Sequence, residues 1–130
     1  MSRAATDPPV AAPRPADNVG VIGFDLIVLQ GDGDSTHQPL TDGMVISTGR
    51  TYNVAARTTG DNIGAVKFAL NDESNFRREG VAPYAMCGDS GGNYFECHVL
   101  NSAGTYTVTA TAVSDDNDTI NRRSVTFVVE

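Results

Sequence analysis

The chain has 130 residues and a mass of 13.7 kDa, enough for one domain with its own core and too little for two. Hydrophobic residues at 40% and charged residues at 19% describe a globular chain, and a net charge of −7 argues against a nucleic-acid binder, whose affinity comes from cations set against phosphates. No apolar run approaches the ~20 residues of a membrane span, and two cysteines with two histidines exclude a four-cysteine zinc site and leave little material for a metal enzyme.

Residues 1–19 read as a Pro/Ala-rich arm or linker. Pro8, Pro9, Pro13 and Pro15 fall among alanines, and neither a helical nor a strand period runs through them. These prolines are the candidate contacts of the arm with a partner. The uninterrupted apolar stretch of about 7–15 residues that marks a secretory leader is missing here. The expectation is either a module cut from a longer precursor or a protein that works inside the cell or virion that made it.

From residue 20 to 130 the pattern changes to period two. Ile22, Phe24, Leu26 and Val28 share one face of the first run. Tyr52, Val54 and Ala56 alternate with Asn53, Ala55 and Arg57; Val66, Phe68 and Leu70 alternate with Ala65, Lys67 and Ala69. Tyr106, Val108, Ala110 and Ala112 form a fourth run and Val125, Phe127 and Val129 a last one. Met44-Val45-Ile46 and the stretch 93–100 supply two more strands. Such runs, rich in β-branched and aromatic residues, are half-buried strands. Gly, Asp, Asn and Ser clusters between them, such as Gly31-Asp32-Gly33-Asp34 and Gly88-Asp89-Ser90-Gly91-Gly92, are turn chemistry. About seven short strands without a convincing helix predict an antiparallel two-sheet sandwich.

Gly104-Thr105-Tyr106-Thr107-Val108 has the spacing of the tyrosine corner of an immunoglobulin-like sandwich. Val108 stands where antibody domains carry a disulfide cysteine. The chain has no tryptophan, so Phe68 is the expected core aromatic of the third strand. Taken in order, Val66-Lys67-Phe68, then Ala82-Pro83-Tyr84, then Gly104-Thr105-Tyr106 with Ala110, resemble bacterial and phage immunoglobulin-like surface modules, similar in fold to cadherin and fibronectin domains. The resemblance covers residues 20–130. It implies an all-β, immunoglobulin-like antiparallel sandwich with an extended N-terminal arm, and a spacer, adhesion or accessory binding role. It carries no catalytic motif, and Cys87 and Cys97 depart from its pattern.

The string Gly88-Asp89-Ser90-Gly91-Gly92 matches the surroundings of a serine-protease nucleophile. The chemistry also needs a histidine base, an orienting aspartate and a two-barrel cleft. The chain is too short for that cleft, His37 lies in a polar loop, and His98 follows Ser90 by only eight residues. A Gly-rich hairpin is the reading preferred. Cys87 and Cys97 flank it. In an oxidising compartment they are expected to bridge; in a cytosol both are expected to be buried thiols. Tyr84, Tyr94 and Phe95, with Arg77 and Arg78, are the candidate ligand-facing residues, for a sugar ring or a protein partner. Core positions for the aromatics, and edge protection for Arg77-Arg78 and Arg122-Arg123, are the plainer readings; an acidic partner is the alternative for both arginine pairs. Asp32, Asp34, Asp115, Asp116 and Asp118 fail the EF-hand template, and solvated turns explain them; calcium gathered from several loops is the alternative.

The expected function is non-catalytic. The sandwich is displayed on the outside of a virion or filament, anchored by its arm to copies of itself or to a shell or filament subunit. The alternative is an extracellular spacer, adhesion or carbohydrate-binding module of a secreted bacterial protein. No cofactor is expected, calcium aside, and neither nucleic acid nor a membrane span.

Overall fold

A computed structural model describes residues 19–30 and 35–130. The arm prolines and Asp32 and Asp34 lie outside the described residues. Seven strands span six residues or more: β1 (Gly20–Leu29), β2 (Ser35–Leu40), β4 (Thr51–Thr59), β5 (Ala65–Leu70), β6 (Glu73–Glu79), β10 (Gly104–Val113) and β11 (Thr119–Val129). Four two-residue strands join them: β3 (Val45–Ile46), β7 (Tyr84–Ala85), β8 (Asp89–Ser90) and β9 (Asn93–Tyr94). One sheet has five strands in the order β3-β11-β10-β5-β6, and the other has four in the order β2-β1-β4-β7. All pairs are antiparallel except β3 with β11. This is an all-β, immunoglobulin-like sandwich.

The core forms because each strand turns one face inward. Val66, Phe68 and Leu70 of β5, Tyr106, Val108, Ala110 and Ala112 of β10, and Val125, Phe127 and Val129 of β11 are all buried. They meet Phe24, Leu26 and Val28 of β1 and Tyr52, Val54 and Ala56 of β4. Phe68, 1% exposed, takes the core position expected of it. Tyr106 stacks on Phe127 with ring centroids 5.9 Å apart. Its hydroxyl lies 2.6 Å from Ser102 O and 2.9 Å from Val99 O, so the tyrosine corner forms. Tyr106→Phe keeps the ring and removes this donor. It should cost about 1–2 kcal/mol, read as a drop of roughly 4–8 °C in the thermal melt.

Four details differ from the periodic reading. First, Ile22 is 42% exposed while Val21 is fully buried. An irregularity between Val21 and Gly23 shifts the register against β4 and turns that end of the strand over. Second, Ser35–Leu40, read as a polar loop around His37, is an edge strand. Four of its six residues are exposed, so backbone pairing with β1 holds it and no apolar alternation announces it. Third, residues 93–100 are not one strand: Asn93–Tyr94 pairs with Asp89–Ser90, and His98–Asn101 is a 3₁₀ turn. Fourth, Asn53 and Ala55 do not face solvent. Both faces of β4 are buried from Tyr52 to Ala56.

One open edge of the sandwich is closed by side chains rather than by a strand. Asn121 of β11 accepts from Val21 N at 2.8 Å and donates to Val21 O at 2.9 Å. Arg123 adds a third bond, from Nε to the same carbonyl at 2.8 Å. The two sheets are thereby tied at the start of β1.

Candidate functional site

The second burial of β4 comes from the segment 86–97. Met86 N donates to Val54 O at 2.6 Å and Cys97 N donates to Tyr52 O at 2.7 Å, so both arms of the segment dock along the edge of β4 that β7 also pairs. Cys87 and Cys97 are joined by a disulfide, with Cα atoms 5.4 Å apart. Between them the chain folds over the outward face of the four-stranded sheet and covers Ile27 and Asn53, both 0% exposed.

Asn53 is the hub. Its Nδ2 donates to Gly88 O at 3.0 Å and to Phe95 O at 2.8 Å. Its Oδ1 accepts from Cys87 N at 3.0 Å and Val54 N at 2.7 Å. Both amide hydrogens and both oxygen lone pairs are used, which fully satisfies a buried amide. Asn is disfavoured in strands, and an Asn between Tyr52 and Val54 was the one signal in the sequence for this role.

Within the loop, Asp89–Ser90 and Asn93–Tyr94 form a tight hairpin. Gly91 and Gly92 make its turn with φ of 61° and 92°, the paired positive angles that a two-residue hairpin favours. Asp89 accepts from Gly92 N at 2.8 Å. Ser90 therefore sits in a hairpin strand, and no hydrogen bond joins it to a histidine among the described residues. Tyr94 packs edge-on against His37 of β2, ring centroids 5.4 Å apart. Burial first, and then the nearby carboxylates of Asp89 and Asp25, push the Tyr94 phenol above its ordinary value of 10.0. Phe95 is 49% exposed at the rim of the loop.

The other candidates separate. Tyr84 is half-buried against the core. Arg77 forms an ion pair with Glu79 and lays its guanidinium against Gly88, where a Cβ would fall 2.6 Å from Nη2. Arg78, its neighbour, points away and is exposed. A groove of about 480 Å³ runs between Val81–Pro83 and Asp89, Gly91 and Gly92. Asp115, Asp116 and Asp118 form the turn between β10 and β11, pinned by Asn117 N to Ser114 O at 2.8 Å. No group of three or more His, Cys, Asp or Glu side chains converges among the described residues. No helix among them is long and apolar enough to cross a membrane.

The fold defines an immunoglobulin-like module with a disulfide-closed loop on one face. No protein-family model matches the chain, and no curated protein matches it. Among solved structures, the fibronectin(III)-like modules of Clostridium thermocellum CbhA are similar at 20% identity, over 69% of this chain and 88% of that one, with a TM-score of 0.48.

Proposed function

We propose that the chain is a non-catalytic immunoglobulin-like module that works outside the cell as a spacer or adhesion unit. The observation that carries this reading is the disulfide-closed loop laid over the four-stranded sheet. A bridge of this kind persists in oxidising surroundings. A loop held on a rigid scaffold is also where such domains place their contacts. The polar groups that hold the loop are committed to it: Asn53 to four backbone atoms, and Arg77 to Glu79. What the loop presents outward is its hairpin tip, Ser90 to Asn93, and Phe95, with Tyr94 half-buried against His37. The virion-surface reading depends on the arm, which lies outside the described residues, and the module reading is preferred to it.

The test is retention of the full chain on whole bacterial cells and on a panel of immobilised glycans, beside Tyr94→Ala and Phe95→Ala. Retention that falls several-fold in Phe95→Ala supports adhesion through the loop. Retention indifferent to both changes removes the loop as the contact. A chain retained by nothing is a spacer only.

A further inference from the structure

The register of the five-stranded sheet lines up residues that are far apart in sequence. Arg78 of β6 stands opposite Lys67 of β5, Lys67 opposite Thr111 of β10, and Thr111 opposite Arg122 of β11. Cross-strand partners share a face, so the four side chains form one row across the outward face. At about 4.8 Å per strand the row is roughly 14 Å long. Arg122 Nε lies 3.3 Å from Thr111 Oγ1, which ties it into the row. Lys67 and Arg78 are like charges set directly opposite each other, an arrangement that destabilises a sheet. None of the three cations forms an ion pair with a carboxylate among the described residues; the ion pairs there are Asp25–Arg57, Glu79–Arg77 and Glu96–His98. No carboxylate among the described residues offsets this row, and the whole chain carries a net charge of −7.

The adjoining surface has a definite chemistry. The next row along the strands is Ala69, Thr109 and Ser124, with Thr109 Oγ1 2.8 Å from Ser124 Oγ. Beyond it Thr107 and Thr126 pair at 2.9 Å. A shallow depression of about 130 Å³ opens at the β5–β6 end, lined by Lys67, Ser74, Asn75 and Arg78 among others. The exposed large apolar residue of this sheet, Val45, pairs with Val128, six positions and about 20 Å along β11 from Arg122.

We propose that this face binds a linear anionic polysaccharide lying across the strands. Its acidic groups sit over Arg78, Lys67 and Arg122, and its hydroxyls meet the threonine and serine rows. The inference rests on the reading of the chain as an extracellular module. Lys67 and Arg122 are two strand spacings apart, about 9.6 Å, the scale of one disaccharide. A neutral sugar would call for an exposed aromatic platform; the row itself carries no ring, and Phe76 of β6, two positions from Arg78, is packed against the core. A folded acidic protein would call for a central aromatic or apolar anchor; Ile22, 42% exposed, shares a groove with Arg122 at one end of the row, not at its centre. Single-stranded nucleic acid would call for a ring to stack on its bases, and the row of Arg78, Lys67, Thr111 and Arg122 carries none.

The experiment measures retention of the full chain on immobilised polygalacturonate, dextran sulfate and unsubstituted dextran at low and high salt. Binding to polygalacturonate assigns carboxylates as the ligand group, binding to dextran sulfate assigns sulfates, and high salt should abolish either. Lys67→Gln/Arg78→Gln should weaken retention about tenfold and Arg122→Gln about threefold, the scale of a few screened charge contacts. Arg50→Gln, an exposed arginine of the β3–β4 turn, should leave it unchanged. Removing the Lys67–Arg78 repulsion should also leave the thermal melt level or raised, so lost binding is not lost folding. Equal losses in Arg50→Gln, or no retention on either polyanion at low salt, overturn the proposal. If retention on cells through Tyr94 and Phe95 survives that result, the module reading stands without the cation row.

Discussion

Replacing Asn53 with Ala should lower stability by about 3–5 kcal/mol, the largest effect expected of any single polar substitution in this chain. The change leaves Phe95 O, Cys87 N and Val54 N without the side chain that satisfies them, while Gly88 O loses one of its two donors and keeps Phe95 N at 3.0 Å. Each buried group so orphaned costs about 1–3 kcal/mol, reduced where water enters. Asn53→Asp is the sharper version. It keeps the acceptor, loses both donors, and puts a charge at a site with no accessible surface. Chemical denaturation followed by far-UV circular dichroism checks both. A loss under 1 kcal/mol for Asn53→Ala would mean that the loop does not lean on the amide.

Opening the Cys87–Cys97 bridge, by Cys87→Ser with Cys97→Ser, is expected to cost about 2–3 kcal/mol. The bridged cysteines are ten positions apart in sequence, so the bridge closes a loop of about eleven residues, and the chain-entropy model gives that range for such a loop. Cys97 is 1% exposed, so the serine hydroxyl adds a burial cost at that end. The two predictions are coupled. Asn53 and the bridge hold the same segment against the same face, and once one is gone the loop already samples open forms. The double change should therefore cost less than the sum of the parts, by at least about 0.5 kcal/mol. Strict additivity would show that amide and bridge act on separate structures. Reduction of the bridge should also expose Ile27 and loosen the Tyr94–His37 contact, visible as faster amide exchange along β1 and β2.

The parts of the fold that the sequence discloses are those held by apolar burial. The inward faces of β5, β10 and β11 alternate because a sandwich buries one face of each strand, and Tyr106 is recognisable because a corner fixes its distance from the following core residues. Polar edge strands escape this logic. β2 and β6 are held by backbone pairing and leave most side chains in water, so the sequences STHQPL and ESNFRRE carry no period. β4 misleads for the opposite reason. Its second face is covered by a loop some thirty positions further on, so Asn53 and Ala55 read as solvent positions until that loop is in place. The site divides the same way. Cys87, Cys97, Tyr94 and Phe95 are neighbours in sequence and stay together in space. The row of Arg78, Lys67, Thr111 and Arg122 depends on three pairwise registers, and a single-residue slip in any of them would send one member to the core.

The short parallel pairing of β3 with β11 has a mechanical meaning. Gly43 N bonds Thr126 O at 2.8 Å, Val128 N bonds Met44 O at 2.9 Å, Glu130 N bonds Ile46 O at 2.9 Å and Thr48 N bonds Glu130 O at 2.9 Å. These bonds run across β11, as do those to β10 on its other side. Tension drawn along β11 from its C-terminal end meets them broadside and loads them together, so the strand must slide as a unit before any one bond is free to peel. A module anchored through that end would resist a pull by shear.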